Sequence, residues 1–126
     1  MANWTPNGFM GQMFALGREL DPSADRVPPN TEWGRPEVVE ERFSGLATDV
    51  TFERRAVPYR FESAAALVDF LEHNAGPMVA ARRALPKDVK ADLRRRTIDL
   101  AERHNAGGSR SLAIDAEYLL VTARKP

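Results

Sequence analysis

The run Tyr118-Leu119-Leu120-Val121 constrains the fold more than any other feature of this chain. Four consecutive apolar residues in an extended segment put large side chains on both faces. Such a strand is covered on both sides and lies centrally in its sheet. The extended segment is expected over 111–123, and only two other segments read as possible partners. One is 49–61, rich in β-branched and aromatic residues: Val50 and Phe52 alternate with Thr51 and Glu53, and Val57, Tyr59 and Phe61 alternate with Pro58 and Arg60. The apolar phase changes between Phe52 and Val57, which predicts a bulge or bend near Arg54 and Arg55. Pro58 fits an edge or the end of pairing. The other is Ala2-Asn3-Trp4, too short for a full strand and followed by a turn at Pro6 and Gly8.

Between these segments the apolar spacing is helical. Phe9, Met13, Leu16 and Leu20 fall near a 3.6-residue period, with Met10 and Phe14 widening the stripe of a helix over 9–20. Residues 21–34 hold Pro22, Pro28 and Pro29 and read as a long irregular loop. Trp33, near its end, is either an anchor of that loop on the core or a ligand contact. Pro36 suits the first turn of a helix to Phe43, with Gly45 as its stop. Ser63 is placed to cap a helix over 64–74 with Leu67, Val68, Phe70 and Leu71 on its buried face. Gly76-Pro77 breaks it, a short helix follows over 78–85, and a long one runs over 87–104. Arg94, Arg95 and Arg96 fan out over a wide arc of that last helix, as a solvated face does. The expected fold class is α+β: a small three-stranded, mainly antiparallel sheet covered by helices, in a single domain over 1–126.

Composition excludes several functions. Eighteen basic and eighteen acidic residues leave no net charge, against a nucleic-acid partner. No apolar run approaches the ~20 residues of a membrane span. No basic segment followed by an apolar one opens the chain, so no secretory signal and a cytoplasmic location are expected. The chain has no cysteine, which removes disulfides, thiolate metal sites and a cysteine nucleophile, and two histidines cannot make a histidine-rich metal site.

Certain stretches resemble a known family. Asn3-Trp4-Thr5-Pro6-x-Gly8-Phe9-x-Gly11-Gln12-Met13-Phe14 resembles the exit of the fifth strand and the next helix in small-molecule S-adenosylmethionine-dependent methyltransferases. The closest group is the actinobacterial "type 11", or ubiquinone/menaquinone-methyltransferase-like, branch. Asp49-Val50-Thr51-Phe52-Glu53-Arg54-Arg55 looks like its sixth strand, and Ser63-x-x-x-Leu67-Val68-Asp69-Phe70-Leu71 like the helix after it. Arg103-His104-Asn105 and 116–124 look like the approach to its final strand and that strand. The resemblance implies a C-terminal half of a Rossmann-like enzyme, with the last strand inserted antiparallel between the other two. Its main departure from the family is an absence. No strand followed by a Gly-x-Gly turn and a helix occurs, and Gly107-Gly108 stands after a helix and before a strand. The chain alone is therefore expected to bind no cofactor. S-adenosylmethionine would enter only if a partner chain supplied the glycine-rich half.

The resemblance also places the acceptor side of the pocket on the first helix, the loop after it and the helices after the sixth-like strand. By position, Trp4, Phe9, Met13, Trp33, Tyr59 and Phe70 are candidate ligand-binding residues for a flat or lipophilic molecule. For Phe9, Met13 and Phe70 a plain core position is the preferred reading. His73 and His104 are the side chains that titrate near neutrality, and His104 is the candidate general base toward a hydroxyl acceptor. Both also suit a helix C-terminus, where a cation is favoured. Asp115 and Glu117 share one strand face, as a carboxylate pair or as a solvated surface. The expected function is a methyltransferase-like half-domain binding a small, largely apolar molecule. The alternatives are a subunit of a split methyltransferase and a non-catalytic protein-interaction module. An open sheet edge would be covered by a second copy or by a partner chain.

Overall fold

A computed structural model describes residues 1–126. In chain order the elements are β1 (Ala2–Trp4), α1 (Phe9–Glu19), two 3₁₀ turns (Ala24–Arg26 and Asn30–Gly34), α2 (Pro36–Phe43), β2 (Thr48–Phe61), α3 (Ala64–Asn74), α4 (Gly76–Ala84), α5 (Lys87–His104) and β3 (Leu112–Arg124). The architecture is α+β: five α-helices on one open sheet of order β1-β3-β2, with both neighbouring pairs antiparallel. β3 is central, so β1 and β2 run parallel to each other on either side of it.

The expected bulge at Arg54-Arg55 is absent. From Thr51 opposite Thr122 to Phe61 opposite Leu112 the register is unbroken, and the irregularity lies between Thr48 and Thr51. There Asp49 adopts a φ of 52°, a left-handed conformation that aspartate tolerates better than most residues. The change of apolar phase has another cause: the covered face changes along the strand. Val57, Tyr59 and Phe61 share a face with Ala116, Ile114 and Leu112, and this half packs on the main core. That core is built from Phe9, Met10 and Met13 of α1, Leu67 and Leu71 of α3, Met78 of α4, and Leu100 and Ala101 of α5. Val50 and Phe52 point the other way, toward Val39 of α2, Leu119, Val121, Trp33 and Phe43. One sheet therefore has two cores, on opposite faces and toward opposite ends.

The central run follows the same rule. Leu119 and Val121 are buried on the α2 face, whereas Tyr118 and Leu120 are half-buried on the other. Full burial of a leucine such as Leu119 contributes about 1.5–3 kcal/mol. Along the α2 face beyond Leu119 no helix covers the sheet, and charge takes over: Arg54 pairs with Glu117 at 2.9 Å and Arg60 with Asp115 at 2.9 Å. This accounts for Asp115 and Glu117 as a solvated, ion-paired surface.

Local chemistry sets the helix ends. The Ser63 hydroxyl accepts from the Ala66 N–H at 3.1 Å and caps α3. Gly76-Pro77 does end α3, but it also forms the first turn of α4, which begins two residues earlier than the apolar spacing indicates; proline is at ease there because no N–H is needed. The 21–34 segment is less irregular than expected, with its two 3₁₀ turns. The second lies directly on β1: a Cβ built on Gly34 would stand 2.0 Å from the Trp4 carbonyl oxygen. The three arginines of α5 divide their work. Arg94 reaches Asp69 and Glu72 of α3 at 2.8 and 2.9 Å, Arg96 reaches Glu19 of α1 at 3.2 Å, and Arg95 pairs within its own helix.

β1 has one unpaired edge. The Met1 ammonium donates to the Val121 carbonyl, the Val121 N–H donates to the Met1 carbonyl, and the Thr5 N–H donates to Glu117. In an antiparallel ladder, alternate residues face alternate edges. Ala2 and Trp4 therefore turn their backbone groups away from β3, where no further strand pairs with them.

Candidate functional site

Two clefts adjoin along α1. One, of about 790 Å³, lies between α1, the 21–30 segment and α4. Its walls are largely apolar: Met13 and Phe14 from α1, Val27 and Pro28 from the loop, Met78 and Ala81 from α4. The other, of about 920 Å³, lies between α1, the second 3₁₀ turn and α2 and is the more charged, with Arg18, Arg35, Arg42, Glu32 and Glu41 in its lining. Phe14, Arg18 and Asn30 belong to both, so the two spaces meet along one line of side chains. The spacing of the clefts follows from the proline-rich loop. Pro22, Pro28 and Pro29 keep it from continuing α1, and the Asp21 carboxylate accepts from both the Ser23 N–H (2.9 Å) and its hydroxyl (2.7 Å), which turns the chain. Those two hydrogen bonds, chiefly the one from the hydroxyl, hold the Asp21 carboxyl below the usual carboxylate range.

The structure does not bring the sequence-derived candidates into one pocket. Of Trp4, Phe9, Met13, Trp33, Tyr59, Phe70 and His104, Met13 alone lines either large cleft. Phe9 and Met13 are fully buried members of the main core. Trp4 stands edge-on to Tyr118 at 6.2 Å. Trp33 lies on the opposite sheet face, edge-on to Phe43 at 6.4 Å, with the Arg42 guanidinium 4.4 Å above its ring. It is an anchor, and the Arg42–Glu32 ion pair fastens the second 3₁₀ turn to α2 beside it. Tyr59, Phe61 and Phe70 form a row with ring separations of 6.3 and 5.4 Å, and Phe70 is 44% exposed at its end. Burial pushes the Tyr59 phenol above its ordinary value.

Neither histidine lines either cleft. The His104 ring stands edge-on to buried Phe9 at 5.8 Å, at the end of α5 and away from both large clefts. His73 Nδ1 donates to the Asp69 carbonyl at 2.7 Å, which leaves Nε2 to accept from Arg82 at 3.0 Å. Asn105, beside His104, has a structural task. Its Oδ1 accepts from Gly107 and Ala113 N–H groups, and its Nδ2 donates to the carbonyls of Gly108 and Ser111. All four hydrogen bonds shape the turn into β3. No group of three or more histidine and carboxylate side chains is arranged to hold a metal ion, and no helix is long and apolar enough to cross a membrane.

Sequence reasoning missed the residues that do line the clefts: Phe14, Arg18, Asn30, Arg35 and Ala81. Phe14 lay beside the apolar stripe of α1, and the arginines carry no local signal that separates them from surface charges.

No protein-family model matches the chain. It is similar to an uncharacterised protein of Mycobacterium tuberculosis, 32% identical over 127 aligned positions that cover 98% of this chain and 45% of the relative. A Mycobacterium bovis protein, also uncharacterised, matches to the same extent. A second uncharacterised protein of M. tuberculosis is 27% identical with the same coverage. The chain thus spans less than half the length of the curated relatives it matches.

Proposed function

We propose that this chain is a methyltransferase-like half-domain that binds a small, largely apolar molecule and does not hold S-adenosylmethionine by itself. The observation that carries the binding role is the apolar cleft between α1, the 21–30 segment and α4, a concave site of about 790 Å³ with a few polar groups at its rim. Concave apolar sites with sparse polar groups are what small-molecule recognition uses. The strand arrangement, a central antiparallel β3 between two strands parallel to each other, supports the resemblance to the C-terminal half of a Rossmann-like methyltransferase. Calorimetric titration with S-adenosylmethionine tests the cofactor half of this reading: the isolated chain should show no saturable heat. Saturable binding by the chain alone would overturn it.

A second reading has its own observation. No strand pairs with the outer edge of β1, where Ala2 offers its backbone groups while the second 3₁₀ turn packs on the Trp4 carbonyl, and the relatives extend to more than twice the matched length. Both support a split methyltransferase in which a Rossmann-like half from a second chain pairs with β1 and brings the cofactor. Co-expression with such a half should yield a complex that binds S-adenosylmethionine. If no complex forms, the interaction-module reading takes its place.

A further inference from the structure

We infer that the two clefts along α1 form a single site for an amphipathic monocarboxylate, with the apolar tail between α1 and α4 and the carboxylate at Arg18 and Arg35. The proposal deepens the small-molecule reading above and rests on it for the tail, but it needs neither cofactor nor partner.

Three observations combine. The clefts share Phe14, Arg18 and Asn30, so they adjoin along one line of side chains, and a ligand laid across that line touches both. Arg18 is half-buried yet has no carboxylate within ion-pair reach, and neither has Arg35 across the same cleft. Arg94 shows the contrast: partly buried like Arg18, it is held by two carboxylates. Finally, the more charged cleft carries three arginines against two glutamates, and the Arg42–Glu32 pair consumes one of each. Glu41, exposed on α2, is the remaining carboxylate there. Asp21, across the line of shared residues, draws on Arg18 electrostatically but spends Oδ1 on Ser23.

A guanidinium is a planar donor fork that matches a carboxylate in two parallel hydrogen bonds, and it remains charged at any working pH. Two such forks beside an apolar cleft favour a carboxylate over a neutral hydroxyl head.

Octanoate and its neutral counterpart 1-octanol serve as probes, titrated calorimetrically into the wild-type chain and the Arg18→Gln and Arg35→Gln variants. Octanoate should bind saturably at millimolar concentration or below, with octanol about tenfold weaker, the factor expected for one charge-assisted hydrogen-bonded pair. Each variant should lose about five- to tenfold in octanoate affinity and little for octanol. Arg35 is exposed, so its variant keeps the fold if Arg18→Gln does not. Equal affinity for the two probes, unchanged octanoate affinity in Arg35→Gln, or no saturable octanoate binding would each overturn the proposal. Failure to bind S-adenosylmethionine after complementation would overturn the split-enzyme reading and leave this one standing.

Discussion

Gly34 is the point at which the second 3₁₀ turn touches β1, and replacing it by alanine tests the packing directly. A Cβ there would lie 2.0 Å from the Trp4 carbonyl oxygen, 2.8 Å from its carbon and 3.0 Å from the Thr5 Cα. Carbon atoms in contact sit about 3.5–4.0 Å apart, so the turn must retreat from the strand by more than about 1 Å. Both sides of the clash are backbone, so no side chain can swing aside. Overpacking of this kind costs about 1–3 kcal/mol, and the rigid partners place Gly34→Ala at the upper end. Alanine recovers a few tenths of a kcal/mol from the reduced freedom of the unfolded chain, leaving a net loss of about 2–3 kcal/mol. That is a large share of the ~5–15 kcal/mol that holds a small domain together. Urea unfolding followed by far-UV circular dichroism measures it. Tryptophan emission gives a local readout, because Trp33 precedes Gly34 and Trp4 supplies the carbonyl, and these are the only two tryptophans. Gly17→Ala is the control: nothing lies within 4 Å of its added Cβ, so in a helix interior it should stabilise by up to about 1 kcal/mol. A Gly34→Ala protein within about 0.5 kcal/mol of wild type, with unchanged emission, would refute the close packing of the turn on β1.

Three further outcomes are expected. Ser63→Ala removes the hydroxyl that caps α3 and should cost about 1 kcal/mol in urea unfolding, whereas Ser63→Asp should cost little. Asn105→Ala leaves the N–H groups of Gly107 and Ala113 unpartnered; at about 1–3 kcal/mol for each unsatisfied group that stays buried, a loss of about 2–4 kcal/mol is expected, and less than about 1 kcal/mol would mean that water replaces the side chain. The Tyr59 phenol is raised by burial above its ordinary value near 10. The folded state then favours the protonated form, so this contribution is fully present below the unfolded value and is lost as pH rises through the folded one. Melting temperature should therefore fall less steeply above pH ~10 in Tyr59→Phe than in wild type, and superimposable profiles would count against the burial.

Much of the local structure was legible because it depends on near neighbours. The Ser63 cap, Pro36 in the first turn of α2 and the 3.6-residue stripe of α1 are each set within a few residues. The central position of β3 was readable from Tyr118-Leu119-Leu120-Val121, since alternation puts two of the four side chains on each face. The phase change between Phe52 and Val57 was visible too, but its meaning was not: a bulge and a change of covered face leave the same pattern in a single strand. Only the placement of α2 against one face and α1, α3, α4 and α5 against the other distinguishes them.

The candidate site was less legible. Aromatic and methionine residues on α1 read as core or as cavity wall, core being the preferred reading, and Phe9 and Met13 are core because α3, α4, α5 and β3 close over them. Trp33 lies apart from the other candidates because the 21–34 segment crosses to the α2 face, a path that no local pattern encodes. The clefts arise where that segment stands off α1, and their lining comes from residues far apart in sequence. The sequence by itself determined which stretches are helical or extended, and that this chain carries no thiol. The tertiary structure alone decided which sheet face each helix covers and that Arg18 and Arg35 share a cleft without a carboxylate partner, because burial and ion pairing depend on what arrives from elsewhere in the chain.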